Sequence, residues 1–503
     1  MTMTTLAVHE PPAVGRLDAA SLRRAFLVFA FVVAIAAPFS PDPVELAVGG
    51  LVPWVALWIV GTATMPAAIV YYLLYQWLQI FTRALVSVID GEGMGQGLFG
   101  PWVLNAYWYS LASVVTLALV FRLALGSLKP PSPQAATAHL SWNARELFLF
   151  YLATFGLSIV LRGMQGVSGP LHQPMEAAAR IKFVALFMLF YGVLSTRRGY
   201  SFLLGAVVME MILGFSGLLG DFRAVFIVLF VAALSARIRW TGTTSVIVLF
   251  AGIFLVVLGV FWTAIKIDYR EFATGSDDSQ RLVMPIEERL GYIAGRVATV
   301  GDIDWSAASY QLLTRLAYID IFGTVIGVKL SSPEQDEYRQ WSDALAHVFQ
   351  PRFLFPNKQE LNDLDVYMRL ARTDATEAVR LGTSISVGYM AENYVDFGFP
   401  GMLGGIFAMG LVIGLVTRYF MVLPLPAVVR EGTVMTIIFV IGNNGIETSL
   451  PKILGSILMT FLAYALLAKF AYPYGLRWLD RRSRSARHAE SLRQRRRAAS
   501  RSS

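Results

Sequence analysis

The sequence predicts an all-helical membrane protein with about twelve transmembrane helices and one large, mostly helical external loop. Three observations support this fold class. Hydrophobic residues make up 56% of the 503 residues and charged residues 15%, against about 45–50% and about 25% in soluble domains. The apolar residues come in runs near the roughly 20 residues that cross a bilayer as a helix. The basic residues are concentrated in alternate loops.

The composition also excludes several classes of protein. Disordered chains, coiled coils and nucleic-acid modules are not this apolar. The absence of cysteine excludes disulfide scaffolds, thiol nucleophiles and Cys-ligated metal centres. No histidine pair has the spacing of a zinc helix, and neither a P-loop nor a Gly-x-Ser-x-Gly motif occurs. We therefore expect no metal and no cofactor.

Hydropathy in windows of about 19 residues predicts the individual spans. The twelve predicted spans are 24–38, 48–62, 65–84, 102–124, 146–163, 181–195, 201–219, 223–238, 242–264, 397–418, 430–448 and 452–472. The first span is followed by Pro41 to Pro43 without a small-residue cleavage pattern, so it is not a cleaved signal peptide.

The distribution of Lys and Arg predicts the orientation, because short cytoplasmic loops are enriched in both. If the N-terminus is cytoplasmic, the basic residues of the short loops all fall on the cytoplasmic side. These residues are Arg23, Arg24, Lys129, Arg145, Arg197, Arg198, Arg237, Arg239, Arg418 and Arg430. From Leu476 onward the tail carries ten arginines against Asp480 and Glu490, a net charge of +8. A basic tail beside a membrane is typical of anionic-lipid binding, so we expect no nucleic-acid partner.

One polar segment interrupts the spans. Residues 266–396 contain 13 basic and 20 acidic residues, a net charge of −7, whereas the rest of the chain carries +15. Aliphatic and aromatic residues recur there with helical spacing, which predicts a small helical domain on the outer membrane surface. The predicted organisation is therefore helices one to nine over 1–265, the loop domain over 266–396, helices ten to twelve over 397–472 and a basic tail over 473–503.

Several charged residues near membrane depth are candidates for function, since such groups are costly there. Glu210 lies in the middle of the seventh span and could be a site carboxylate or proton relay, or could tie two helices together. Arg223 could clamp a phosphate or carboxylate at the outer turn. Alternatively, Arg223 could snorkel or pair with Asp221.

The ends of two later spans supply further candidates. Lys266 and Arg270 are four residues apart on one helix face and would meet a lipid-linked pyrophosphate. Headgroup anchoring is the alternative, given the nearby aromatic residues. Asn443, Asn444 and Glu447 at the external end of the eleventh span suit sugar hydroxyls, or else hydrogen bonds between helices. Two Asp-x-Asp pairs could bridge a metal, but a loop with twenty acids contains such pairs by chance.

Three stretches resemble the Wzy-type O-antigen and exopolysaccharide polymerases of bacteria. The first is Gly220 to Arg223, with an arginine at the outer mouth of a span. The second is Pro351 to Lys358 in the large loop. The third is Gly388 to Gly401, which is similar to the family's Gly-x-x-x-Glu-x-Tyr-x-x-Phe-Gly-x-x-Gly pattern. The layout of twelve spans with one late external loop extends the resemblance over most of the chain.

The resemblance implies a metal-independent membrane glycosyltransferase of the GT-C type in the bacterial inner membrane, with both termini cytoplasmic. Donor and acceptor would be oligosaccharide repeat units linked to undecaprenyl pyrophosphate, with membrane lipids and a chain-length regulator as further partners. A cation must stabilise the leaving pyrophosphate. The candidates for this role are Arg223, Lys266, Arg270, Arg352, Lys358 and Arg380. For acid/base work Glu392 is the first candidate, followed by Glu210 and Asp396, with His172 last.

Two alternatives remain at the level of the sequence. An O-antigen ligase-like transferase would place the same donor glycan on another acceptor. A flippase for lipid-linked oligosaccharide would need charged residues along a path through the membrane, whereas Glu210 is nearly alone at mid-depth. The chain also departs from the family pattern, in which the functional arginines often lie in two separate external loops. Here the candidate arginines are divided between a very short loop at 220–222 and the long loop.

Overall fold

The hydrophobic runs form helices. The computed structural model describes residues 19–61, 64–97, 100–164, 172–215, 217, 222–239, 241–275, 282–332, 339–350, 355, 358, 362–372 and 385–485. Its α-helices are numbered in chain order: α1 (Ala19–Ala36), α2 (Pro43–Val60), α3 (Ala67–Asp90), α4 (Val103–Leu125), α5 (Pro133–Thr137), α6 (Ala144–Gly163), α7 (His172–Ala179), α8 (Ile181–Thr196), α9 (Tyr200–Phe215), α10 (Arg223–Ser235), α11 (Gly242–Thr274), α12 (Ile286–Ala298), α13 (Trp305–Leu316), α14 (Ile319–Ser331), α15 (Gln340–Phe349), α16 (Asp363–Ala371), α17 (Tyr389–Val422), α18 (Ala427–Gly442) and α19 (Leu450–Leu466).

Each of the twelve predicted spans overlaps a helix in its described part, but the helices differ in length and polarity. Within the described ranges, eight are long and apolar enough to cross a membrane, or nine if the bent pair α13–α14 counts as one span. The predicted spans outside this set are α3, which carries Gln76, Gln79 and Arg83, and the shorter helices α9, α10 and α18. The chain is thus a polytopic helical membrane protein, and the number twelve stays a prediction.

The outer helices present apolar side chains away from the bundle. On α1, Leu27, Phe31 and Ile35 are exposed, and on α11 the same holds for Ile247 and Phe254. Exposed apolar surface of this extent is stable only against lipid or a partner protein. At 33 residues α11 is about 50 Å long, which exceeds the roughly 30 Å hydrocarbon core. Its last turns therefore extend beyond the apolar layer.

The described parts of the polar segment 266–396 are mostly helical, and the helices at its two ends cross the predicted borders. Helix α11 continues without a break to Thr274, and α17 begins at Tyr389, inside the predicted loop. Between them lie α12 to α16. The predicted borders therefore lie inside α11, which is continuous, and inside α17, where the border is next to a break at Gly398; as borders of a domain they stay predictions.

Helix α14 departs from the predicted position on the outer surface. It packs against α3, α4 and α17, with Phe322 and Val325 buried. Gly323 lies so close to α4 that an added Cβ would be 2.9 Å from the backbone of Val103. At the first turn of α14, Asp320 forms a buried ion pair of 2.9 Å with Arg83 of α3. The acidic segment thus contributes an apolar helix to the bundle. The net charge of the whole segment does not show this helix, because polar residues surround it in the sequence.

Helix α17 is two helices joined at a break. Gly398 has φ 62° and ψ −173°, outside the helical region, and nine residues precede it. This first part is buried almost throughout. Lys329 of α14 donates hydrogen bonds to the carbonyl oxygens of Tyr394, at 2.9 Å, and Val395 near its end. Because cations stabilise helix C-termini, Lys329 fixes the short first part independently of the long second part.

Candidate functional site

Four basic side chains from three helices come together where α10 begins and α11 leaves the apolar layer. We call Arg223 of α10, Lys266 and Arg270 of α11, and Arg315 of α13 the cationic cluster. Arg315 interacts electrostatically with both Lys266 and Arg270. Arg223 and Arg315 both act on Glu447, which precedes α19. Arg223, predicted at the start of the eighth span, and Lys266 and Arg270, predicted at the end of the ninth, therefore share one region with a fourth cation.

Arg223 is exposed, but its guanidinium is oriented by other helices. Its Nη2 donates a hydrogen bond of 3.0 Å to Oδ1 of Asn444, and the hydroxyl of Tyr75 on α3 is a second partner. The predicted alternative pair with Asp221 lies outside the described residues. Arg223 is thus directed toward the connection between α18 and α19 rather than along the lipid-facing surface.

The other members of the cluster differ in burial. Lys266 is 8% exposed, Arg270 is half-buried and Arg315 is exposed. Throughout the described ranges, no carboxylate lies within ion-pairing distance of Lys266 or Arg315. Like charges held together, with Lys266 buried among them, favour an anionic ligand.

The aromatic residues beside Lys266 bear on the anchoring alternative. Trp262 is 9% exposed and Tyr269 is fully buried, in a cluster with Phe215 and Phe222. Belt aromatics that anchor a helix would face the lipid headgroups. Trp262 instead packs against Phe215 of α9 and Phe222. Tyr269 packs against Trp262 and against Tyr292 of α12, so the two rings hold the cationic stripe in place.

A buried amide shapes the turn that carries Asn444 and Glu447. Gln79 of α3 is 2% exposed. Its Nε2 donates to the carbonyl oxygen of Asn444 at 3.2 Å, and its Oε1 accepts from the backbone N–H of Ile446 at 2.9 Å. Gly445 between them has φ 61°, in the left-handed region that favours glycine. The turn therefore depends on Gln79 and Gly445 together.

We expect Gly445→Ala to destabilise this turn by about 1–3 kcal/mol, the range for breaking buried hydrogen bonds. The new Cβ would lie 1.8 Å from Oε1 of Gln79, so Gln79 must move away and its hydrogen bonds to the turn must break. Thermal unfolding in detergent measures the effect. Gly205→Ala is the matched control, because its Cβ meets nothing within 4 Å in a helix. Equal melting temperatures for the two variants would contradict the assigned role of the turn.

Glu447 is the carboxylate that faces the cationic cluster. It is half-buried, and its carboxylate makes no direct hydrogen bond or ion pair with another described residue. Burial raises its pKa above the ordinary 4.5, while Arg315, Arg223 and Lys452 act in the opposite direction and Asp363 adds to the rise. A carboxylate with a raised pKa and no fixed partner is suited to accept a proton.

Glu392 and Asp396 are engaged in the fold. Glu392 is 2% exposed, and its carboxylate accepts the backbone N–H of Leu450 in the first turn of α19. Asp396 accepts the backbone N–H groups of Gln340 and Trp341, at 2.9 and 2.8 Å, at the start of α15. Both carboxylates thus act as helix caps. Their predicted acid/base and binding roles stay predictions.

The remaining loop and turn candidates are dispersed. Lys358 donates to the carbonyl oxygens of His347 and, at 3.0 Å, Gln350 at the end of α15, so it caps that helix. Arg352 and Arg380 lie outside the described residues. His172 is exposed at the start of α7. Asn443 is half-buried, and its Oδ1 is inaccessible without a hydrogen-bond partner in the structure.

Glu210 forms part of a buried triad away from the cationic cluster. Lys182 of α8 donates to both of its carboxylate oxygens, at 2.7 and 3.0 Å, and the hydroxyl of Tyr151 on α6 donates at 2.8 Å. The ammonium group also lies over the rings of Phe155 and Phe183. The triad joins three helices, in agreement with the alternative that Glu210 ties helices together.

An apolar groove opens beside the cationic cluster. It has a volume of about 350 Å³ and lies between α11 and the loop segments α12 and α13. All nine lining residues are apolar, among them Phe254, Phe261, Ile293 and Trp305. Phe261 precedes Lys266 by five residues, roughly 8 Å along the same helix. The groove is thus of the right polarity for a lipid chain and is close to the cations.

Sequence reasoning missed three members of this site. Arg315, Gln79 and Tyr75 are separated by long stretches from Lys266 and Glu447, and no motif unites them. Glu447 was predicted together with Asn443 and Asn444 as a partner for sugar hydroxyls, but not as a base. Within the described residues, no group of three or more His, Asp or Glu side chains could hold a metal ion.

No family model matches the chain, and no curated protein or solved structure is significantly similar to it. The resemblance to Wzy-type polymerases therefore rests on the motifs quoted above.

Proposed function

We propose that the chain is a membrane glycosyltransferase that polymerises oligosaccharide repeat units carried on undecaprenyl pyrophosphate. One observation carries the proposal: the cationic cluster lies beside an apolar groove on the same helix, α11. A polyprenyl pyrophosphate combines a long apolar chain with a doubly charged head. The apolar groove matches the polyprenyl chain, and the cationic cluster matches the pyrophosphate. Along α11 the groove residues come before the cations, just as the chain is followed by the head.

The proposed reaction assigns a role to each charge. An acceptor hydroxyl attacks the anomeric carbon of the donor sugar, and the bond from that carbon to the pyrophosphate oxygen breaks. The pyrophosphate leaves with the bonding electrons, and Arg223, Lys266, Arg270 and Arg315 stabilise the charge that develops. Glu447 takes the proton of the acceptor hydroxyl. Asn444, oriented by Arg223, supplies a hydrogen-bond partner for sugar hydroxyls.

The membrane arrangement is part of the proposal. Twelve spans, a GT-C-like fold, a bacterial inner membrane and cytoplasmic termini follow from the charge distribution and the resemblance. The cationic cluster then faces the periplasm. Transport is less well supported, since the described charges at membrane depth form buried pairs, Arg83 with Asp320 and Lys182 with Glu210, rather than lining an open path.

Purified protein incubated with undecaprenyl-pyrophosphate-linked repeat units tests the proposal. We expect a ladder of glycans on a gel, without added metal or nucleotide sugar. Transfer to lipid A core alone would indicate the ligase instead. Movement of labelled lipid across proteoliposomes without any glycosidic bond would contradict the enzyme and support a flippase.

We expect Arg315→Gln to weaken binding of undecaprenyl pyrophosphate about 10- to 100-fold, because hydrogen bonds to charged groups contribute about 1.5–3 kcal/mol. Titration of the lipid into protein in nanodiscs measures the dissociation constant. Arg296→Gln is the matched control: Arg296 lies on the same loop segment but pairs with Asp268 and Tyr292. Equal weakening in both variants would show a general charge effect and remove Arg315 from the site.

A further inference from the structure

A second cavity lies at the opposite end of the bundle, between α1 and α2. It has a volume of about 370 Å³ and is lined by Arg23, Arg24, Trp54 and Trp58, with Ala20 and Leu27. Neither the catalytic proposal nor the lipid groove makes use of it. Two cations and two indole rings around one opening are unusual in the otherwise apolar surface of these helices.

The shape of the cavity follows from the packing of α1 on α2. The two helices approach each other closely at Gly50, where an added Cβ would lie 2.7 Å from Cγ1 of Val33. Small residues permit such close approach in membranes. The cavity lies one to two turns further along α2, where bulky Trp54 and Trp58 replace glycine. At this end the two helices leave a cleft between them.

The cleft changes polarity along its length. Arg24 is exposed and Arg23 is half-buried, and its side chain lies over Gly61 at the end of α2. Beyond them Leu27 and Phe31 of α1 are exposed, as is Trp58 of α2 at 64%. Neither arginine forms an ion pair with a described residue. The order is thus two cations, then interfacial aromatics, then an apolar stripe.

We propose that this cleft binds one anionic phospholipid of the adjacent leaflet, with the phosphate at Arg23 and Arg24 and an acyl chain along the apolar stripe of α1. Basic pockets between transmembrane helices on the cytoplasmic side bind anionic headgroups in this way. The predicted orientation places the cleft on that side. Charge complementarity selects an anionic lipid over a zwitterionic one, and the apolar stripe selects a lipid over a free anion.

Native mass spectrometry of the full chain in detergent tests the proposal with dioleoyl phosphatidylglycerol and dioleoyl phosphatidylcholine. We expect one phosphatidylglycerol to bind at least tenfold more tightly than phosphatidylcholine. Arg23→Gln/Arg24→Gln should abolish this difference. Arg122→Gln is the matched control, because Arg122 is an exposed arginine in the last turn of α4. This variant should keep the preference for phosphatidylglycerol. If the double variant does not fold, Arg24→Gln alone, at an exposed position, should reduce the preference several-fold.

Three results would overturn the assignment. Equal binding of the two lipids would show no selection for charge. An equal loss of preference in Arg122→Gln would show a general effect of basic residues. Displacement of phosphatidylglycerol by millimolar inorganic phosphate would show that the acyl chain contributes nothing and that the cleft is an anion site.

Discussion

Glu447→Gln is expected to lower kcat about 10²- to 10⁴-fold, the usual contribution of a general base, with little change in donor affinity. The glutamine keeps the size and polarity of the side chain but cannot accept a proton. In the unaltered protein, kcat should rise with pH as Glu447 ionises. Because its pKa is raised, this rise should lie above the ordinary 4.5. Removing Arg315, which lowers that pKa, should move the rise to still higher pH.

Glu392→Gln is the informative comparison. If Glu392 is the base, as the resemblance implies, its glutamine variant should lose turnover and Glu447→Gln should keep it. If Glu392 is a cap, its variant should retain the pH dependence and lose thermal stability. Measured rates at several pH values, together with melting temperatures, separate the two assignments. Full activity in Glu447→Gln would remove Glu447 from the mechanism.

The second large effect concerns stability. Lys182→Met should destabilise the protein by about 3–5 kcal/mol, because it leaves the buried carboxylate of Glu210 without its counter-charge. Glu210→Met should do the same to Lys182. The double variant should recover most of the loss, since apolar residues of similar volume often replace a buried ion pair without cost. Thermal unfolding of the four proteins in one detergent gives the coupling between the two sites.

The same double variant also tests the catalytic reading of Glu210. A folded double variant that still polymerises would show that the triad is a structural tie. A folded but inactive double variant would restore Glu210 as a catalytic candidate. Tyr151→Phe removes one hydrogen bond and no charge, so it should lower the free energy of unfolding by about 1 kcal/mol. This smaller loss is the reference against which the loss of the ion pair is compared.

The positions of the helices could be predicted because the free energy of transferring a segment into lipid depends only on the residues within that segment. Helix α14 shows where this fails. Its residues Phe322 and Val325 lie within an acidic segment, and only contact with α3 and α4 shows that they are buried. The continuation of α11 beyond its predicted end at residue 264 was missed for a related reason, since Lys266 is a charged residue inside a continuous helix.

The site was predictable in part for a different reason. Arg223, Lys266 and Arg270 could be selected because charge beside an apolar span is conspicuous. Arg315 could not, since its proximity to Arg270 depends on how α13 packs on α11. Sequence also cannot distinguish a carboxylate that caps a helix, such as Glu392, from one that faces an opening, such as Glu447. That distinction requires the position of Leu450.

The break in α17 at Gly398 has a consequence for proteins moved between membranes of different thickness. A long helix meets hydrophobic mismatch by tilting. In α17 only the part after Gly398 is free to do so, because Lys329 and Asp396 fasten the part before it to α14 and α15. Thickness changes should therefore bend the chain at Gly398 and leave the arrangement around Glu447 intact. Turnover measured across bilayers of increasing acyl length should vary little, whereas Gly398→Ala should make it sensitive to length.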